Sequence, residues 1–182
     1  ARIAKTKFFF ENKVAFLTQL WEEIESSIKS AKRKNMIPCF RLNLTSDLPW
    51  EKIKHNGQTV FEKFPDVQFY DYTKHTYRMI AFLEGSLPKN YYLTFSRSED
   101  SANQNLSNAF LKSKGNVAAV FRGKLPAVWN GSPVIDGDEN DLRFLDPKGV
   151  VVGLYAKGKA KKDTTGFVVN LQHPVFMLAK AA

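Results

Sequence analysis

Four strand-like runs constrain the fold of this chain more than any other feature: residues 40–47, 67–74, 91–97 and 117–122. Each is rich in aromatic, leucine or β-branched residues, and each closes on polar or charged ones: Ser46 and Asp47, Thr73 and Lys74, Ser96 and Arg97, and Arg122. Segments of helical periodicity separate them. Strands alternating with helices at this spacing build βα units, and right-handed crossovers then set the strands parallel with their carboxyl ends at one rim. Ligands of parallel sheets bind at that rim. The predicted fold is α/β, a mainly parallel sheet forming a partial TIM-like βα barrel, in a single domain of residues 1–182.

Between the strands, Val14, Leu17, Leu20, Trp21, Ile24 and Ile28 recur three and four apart, which predicts an amphipathic helix over 12–34 that Pro38 ends. Its basic end, Lys29 to Lys34, suits the helix dipole and also reads as a solvated terminus. Residues 50–55 and 59–64 read as short helical pieces, and 77–83 as a short helix. A further helix is expected after an N-cap at Ser98, with Gly115 as its stop. The Gly-, Pro-, Asn- and Asp-rich stretch 123–149 predicts a long loop with short strands near Val134 and Phe144. Fifth and sixth strands are expected at 149–157 and 166–169. Strands buried on both faces read as continuous apolar runs. Here Arg41, Asn43 and Thr45 would share one face, and Tyr92, Thr94, Ser96 and Ser98 another, so one sheet face is expected to line a polar cavity.

At 43% hydrophobic and 13% aromatic residues, 182 residues can bury a sizeable core. Twenty-seven Lys and Arg against 18 Asp and Glu give a net charge of +9, which favours a small anionic ligand or nucleic acid as partner. The excess is spread along the chain, with a cluster only at Lys157, Lys159, Lys161 and Lys162. Cys39 is the sole cysteine, which excludes an intrachain disulfide and points to a reducing cytoplasm. No apolar stretch approaches the roughly 18 residues that span a bilayer, so no membrane partner is expected.

No complete set of residues names a reaction. Asp47, Asp71 and Glu99 are the candidate acids and bases at the rim, although carboxylates on neighbouring loops also pair without catalysing anything. Lys74, Arg97 and Arg122 stand at strand ends where they can hold anionic groups, and the helix start after Ser98 would aim amides at the same rim. Asn43, Thr45, Ser46 and Ser96 complete the candidate ligand-binding set. Tyr70, Tyr72, Tyr91 and Tyr92 offer stacking faces for a base, or core packing. Asp136, Asp138 and Asp141 place oxygen ligands at near-alternate positions, where Mg²⁺ could bind; a tight turn with self-capping Asp side chains explains the same pattern. His55, His75 and His173 lack the spacing of a zinc site.

Along 41–47, 69–74, 93–96, 134–147 and 152–158, through motifs such as Leu42-Asn43-Leu44-Thr45-Ser46-Asp47 and Tyr70-Asp71-Tyr72-Thr73-Lys74 whose combination is specific, the sequence resembles the phage gene-product-88 family. The resemblance implies a protein of bacteriophages and mobile elements, and a host-cell cytoplasmic location. Members of that family typically carry a cysteine-rich segment just upstream of the long helix, similar to the cluster-binding loop of radical S-adenosylmethionine barrels. An iron-sulfur cluster and S-adenosylmethionine are implied as cofactors only if such a segment precedes residue 1. Asn43, Thr45, Ser46 and Asp47 would then face the methionine part of that cofactor. The leading expectation is a phosphate-bearing or nucleotide-like ligand at the rim, with or without catalysis; the alternative is a basic, non-catalytic nucleic-acid-binding protein.

Overall fold

Residues 2–171 are described by the structure, a computed structural model; His173 lies outside them. Two helices open the chain: α1 (Arg2–Glu11), which the sequence reading does not include, and α2 (Lys13–Arg33), where the apolar periodicity predicts a helix. Asn12 separates them, its side chain accepting from the amide of Ala15 as the N-cap of α2. Asn35, with φ 53°, ends α2 before Pro38 is reached. The amide of Met36 donates to Ala31 O (2.9 Å) and that of Asn35 to Lys32 O (3.2 Å), a left-handed terminus that satisfies the last carbonyls.

The chain continues through β1 (Cys39–Arg41), a 3-10 turn (Trp50–Lys52), β2 (Lys54–His55), β3 (Gln58–Thr59), α3 (Val60–Lys63), β4 (Gln68–Thr73), α4 (Thr76–Leu83), β5 (Tyr91–Ser96) and α5 (Ser101–Lys112). It ends with β6 (Val117–Phe121), β7 (Val128–Trp129), β8 (Ser132–Asp136), 3-10 turns at Arg143–Leu145 and Gly158–Lys162, β9 (Val151–Tyr155) and β10 (Val168–Val169). The main sheet runs β1-β4-β5-β6-β9-β8-β7, with β10 added beside β6. Its pairs β1–β4, β5–β6, β6–β9, β8–β9 and β6–β10 are parallel, and β7–β8 is antiparallel. The fold is thus the predicted mainly parallel α/β architecture, and among the described residues the sheet does not close into a barrel.

The chain divides into two compact units, Ala1–Asp71 with Glu84–Tyr92, and Tyr72–Leu83 with Leu93–Ala182. In the first, α2 buries Leu17 and Ile24, and Trp21 sets its edge against His55 (centroids 4.7 Å apart). Phe61 stacks on Tyr91 (4.3 Å) and meets Phe69 edge-on (5.2 Å). Two readings of the sequence need correction here. The piece expected to be helical over 50–55 is helical only at Trp50–Lys52, and Lys54–His55 pairs with Gln58–Thr59 as a β-hairpin, because Asn56 and Gly57 both adopt left-handed φ (49° and 81°), the requirement of a two-residue turn matched to strand twist. The first strand stops at Arg41, because the side chain of Asn43 turns the chain by accepting from the amide of Leu48 (2.9 Å). At α3, Thr59 and Glu62 form a reciprocal capping box. Thr59→Ala is expected to lower stability by about 1 kcal/mol, read as a lower urea midpoint at unchanged slope.

In the second unit, Phe95 packs against Phe110 of α5 (4.8 Å). The N-cap of α5 is Asp100, two residues later than expected, its carboxylate accepting from the amide of Asn103 (2.8 Å). Within 123–149, β7 and β8 form a hairpin around Asn130-Gly131 (φ 50° and 78°), while the strand expected near Phe144 is a 3-10 turn. Asn140 makes that turn by accepting from the amide of Leu142 (2.9 Å).

The neighbours of β6 position the rim. Along one edge it pairs with β9 over its whole length, Val117 with Val151 through Phe121 with Tyr155. Along the other it pairs first with β5 at Val117 and Ala118, and then with β10 at Val120 and Phe121. The strands β5 and β6 therefore part beyond Ala118, and β10 fills the opening at their carboxyl ends.

Candidate anion-binding site

In the first unit the structure brings Asn43 and Asp71 together. The Asp71 carboxylate, 0% exposed, accepts from the amide of Asn43 (2.6 Å), from Asn43 Nδ2 (3.2 Å) and from Tyr91 Oη (2.7 Å). Asn43 Oδ1 accepts in turn from Ser46 Oγ (2.8 Å), the amide of Leu48 (2.9 Å) and Trp50 Nε1 (3.2 Å). This network links the chain after β1 to Asp71 within β4 and to Tyr91 at the start of β5. Thr45 and Ser46 are exposed beside it, and Asp47 is half-buried.

In the second unit the predicted cations stand at the strand ends. Lys74 is exposed after β4, its Nζ 5.8 Å above the ring of Phe167. Ser96 ends β5 half-buried, and its carbonyl accepts from Asn103 Nδ2 (3.3 Å). Arg97 is 8% exposed, with Nη1 donating to Gly166 O (2.8 Å) and Phe167 O (2.9 Å) and its guanidinium 5.7 Å from the Trp129 ring. Burial pushes its pKa down. Glu99 is exposed, and its backbone carbonyl accepts from Gln104 Nε2 (3.1 Å). The Asp100 carboxylate sits on the amides at the start of α5, so that helix end already holds a negative charge.

Beyond β6 and β9, Arg122, Gly123, Tyr155, Ala156, Lys157 and Lys161 line an open hollow of about 490 Å³. The register explains it: Phe121 pairs with Tyr155, so the residues that leave both strands emerge side by side. Arg122 donates through Nη2 to Asp163 O, while its buried Nε has no hydrogen-bond partner among the described residues. Lys157 Nζ bonds Asp138 Oδ1 (2.9 Å), and Asp138 Oδ2 accepts from the amide of Tyr155 (3.1 Å). Burial raises the Asp138 pKa, but Lys157 and the Tyr155 amide outweigh it, so the carboxyl lies below the ordinary carboxylate range. Loss of hydration and the nearby Asp136 carboxylate hold the Tyr155 phenol above its usual value. The hollow thus carries three cationic side chains, one tied to a carboxylate.

The acidic loop after β8 is spread over separate partners. Asp136 Oδ1 accepts from the amide of Asp138 (2.9 Å), Asp138 is bound as described, and Asp141 lies 3.4 Å from Tyr72 Oη. Among the described residues no three His, Cys, Asp or Glu side chains converge to hold a metal ion, and Cys39 is the sole thiol, so these residues supply no ligand set for a four-iron cluster. Sequence reasoning found Arg122 from its place at a strand end. It left Lys157 and Lys161 as part of a charge run, because only the β6–β9 pairing sets them beside Arg122.

Residues 1–171 match the family described as Gene product 88, and the chain belongs to that family. No curated protein and no solved structure matches it. No helix among the described residues is long and apolar enough to cross a membrane.

Proposed function

We propose that this Gene product 88 family member binds a phosphate-bearing, nucleotide-like ligand in the hollow at the carboxyl ends of β6 and β9. The observation that carries the reading is the convergence there of Arg122, Lys157 and Lys161, with a buried Arg122 Nε donor that has no hydrogen-bond partner among the described residues. Guanidinium and ammonium groups form charge-assisted hydrogen bonds with phosphate oxygens, and a parallel sheet offers its ligand site at this end. Tyr155, 39% exposed, supplies an aromatic face at the same hollow. Asp138 competes with the ligand for Lys157. Asp138→Asn is therefore expected to tighten ATP binding by up to about fivefold, the range of an exposed ion pair. Unchanged or weaker binding would remove Lys157 from the site.

A second reading, single-stranded nucleic acid as the ligand, is favoured by the turn Gly158–Lys162, which exposes Lys159, Lys161 and Lys162 at the edge of the hollow. Titrating ATP and a 20-nucleotide single strand across a salt series separates the two. A pocket for a nucleotide gives a shallow salt slope and equal affinity for ATP alone. A polyanion track gives a steep slope for the oligonucleotide, because each neutralised phosphate releases counterion, and negligible affinity for ATP. Absence of both activities at low salt would defeat the anion reading.

A further inference from the structure

We propose that residues 163–169 are a displaceable strap that masks Arg97, and that an incoming phosphate group takes the place of the strap's carbonyl oxygens on that guanidinium. The inference rests on the anion reading of the same rim and adds a second subsite with its regulation.

The strap lies where a parallel sheet usually receives its ligand, in the opening between the diverging ends of β5 and β6. It is held on both sides by rim arginines. Arg97 donates to Gly166 O and Phe167 O, and Arg122 donates through Nη2 to Asp163 O and through its amide to Val169 O (2.9 Å). Both guanidiniums are thus directed at neutral peptide carbonyls. For Arg97, 8% exposed, that is an incomplete arrangement: a buried cation is costly without an anion, and the Trp129 face and two carbonyls offset only part of that cost. A phosphate oxygen in place of the carbonyls would supply the missing charge.

The strap is also lightly attached. Its ladder with β6 is two residues long, Val168 and Val169, shorter than an ordinary strand. Of its side chains, Val168 is buried at 5% exposure, while Thr164 and Thr165 are exposed. Its internal shape depends on the Asp163 carboxylate, which accepts from Thr165 Oγ1 (2.8 Å) and the amide of Val168 (3.0 Å). Short, exposed segments of this kind open at the low end of the free-energy range for local unfolding. Lys161 stands two residues before the strap, so a ligand in the hollow would lie near its point of attachment.

The test uses inorganic pyrophosphate with the full chain. In the wild type, saturating pyrophosphate is expected to accelerate hydrogen exchange at the amides of Val168 and Arg122, which the closed strap protects. The neutral variant Val168→Gly loosens the strap without altering charge and should bind pyrophosphate about tenfold tighter, as expected where the closed form dominates the free protein. Adding Arg97→Gln to Val168→Gly should abolish that gain. If pyrophosphate leaves both amides as protected as before, or if Val168→Gly binds no tighter, the strap is not displaced and the proposal fails. Binding that is lost on reversing Lys157 and Lys161 while the strap amides stay protected would overturn the strap alone and leave the hollow intact. A chain that binds no pyrophosphate in either form overturns both readings.

Discussion

Replacing Asp71 with alanine is expected to cost about 3 kcal/mol or more of stability in the first unit. The carboxylate is fully buried and receives the Asn43 amide, Asn43 Nδ2 and Tyr91 Oη. Alanine removes the acceptor of the Asn43 amide and of Tyr91 Oη, while Asn43 Nδ2 keeps its bond to Leu48 O (3.0 Å); each donor stranded in this way carries a desolvation penalty of roughly 1–3 kcal/mol. The loss should spread to Asn43, whose Oδ1 organises Ser46, Leu48 and Trp50. Tyr91→Phe removes one donor and leaves the ring in its stack with Phe61, so it should cost only about 1 kcal/mol. Urea denaturation followed through tryptophan emission separates the two, since Trp50 belongs to the network. Equal, small losses from both variants would show that Asp71 does not hold the network together.

Reversing both lysines of the hollow, Lys157→Glu with Lys161→Glu, is expected to weaken ATP binding by about a hundredfold or more. Two charge-assisted contacts become two repulsions, and each contact is worth about 1.5–3 kcal/mol. Lys157 and Lys161 are exposed, so the fold should tolerate the change, with a Tm within a few degrees of the parent. Unaltered ATP affinity in this variant would mean that the hollow is not the site.

Much of the scaffold is legible in the sequence, and the exceptions have local causes. The α2 helix and strands β4, β5 and β6 follow from apolar periodicity and β-branched or aromatic runs bounded by Pro and Gly. The hairpins at Asn56-Gly57 and Asn130-Gly131 carry a strong turn signal, but β2, β3 and β7 have two residues each, too few for a period of two to emerge. The early end of β1 lies in one side chain, Asn43, whose preference for capping its own loop overrides the apolar alternation on either side.

The site is less legible than the fold. Arg97 and Arg122 stand out in sequence as cations after apolar runs, yet their present partners, Gly166, Phe167 and Asp163, lie about 40 to 70 residues further along the chain. Lys157 and Lys161 read as a solvated run until strand pairing places them opposite Arg122. Asn43 and Asp71 resemble rim residues in sequence because each lies in a strand-like run that closes on polar residues. The structure shows them bonded to one another, with Asp71 also accepting from Tyr91 and Asn43 also bonded to Ser46, Leu48 and Trp50. Nonlocal pairing, which no window of sequence contains, decides all of these.

The most direct measurement is a backbone amide chemical-shift titration of the isotope-labelled full chain with ATP at low salt. The anion reading predicts saturable shifts at Arg122, Gly123 and Tyr155 through Lys157, with Lys161 moving in step. Shifts confined to residues 43–50, or none that saturate at millimolar ATP, would contradict it.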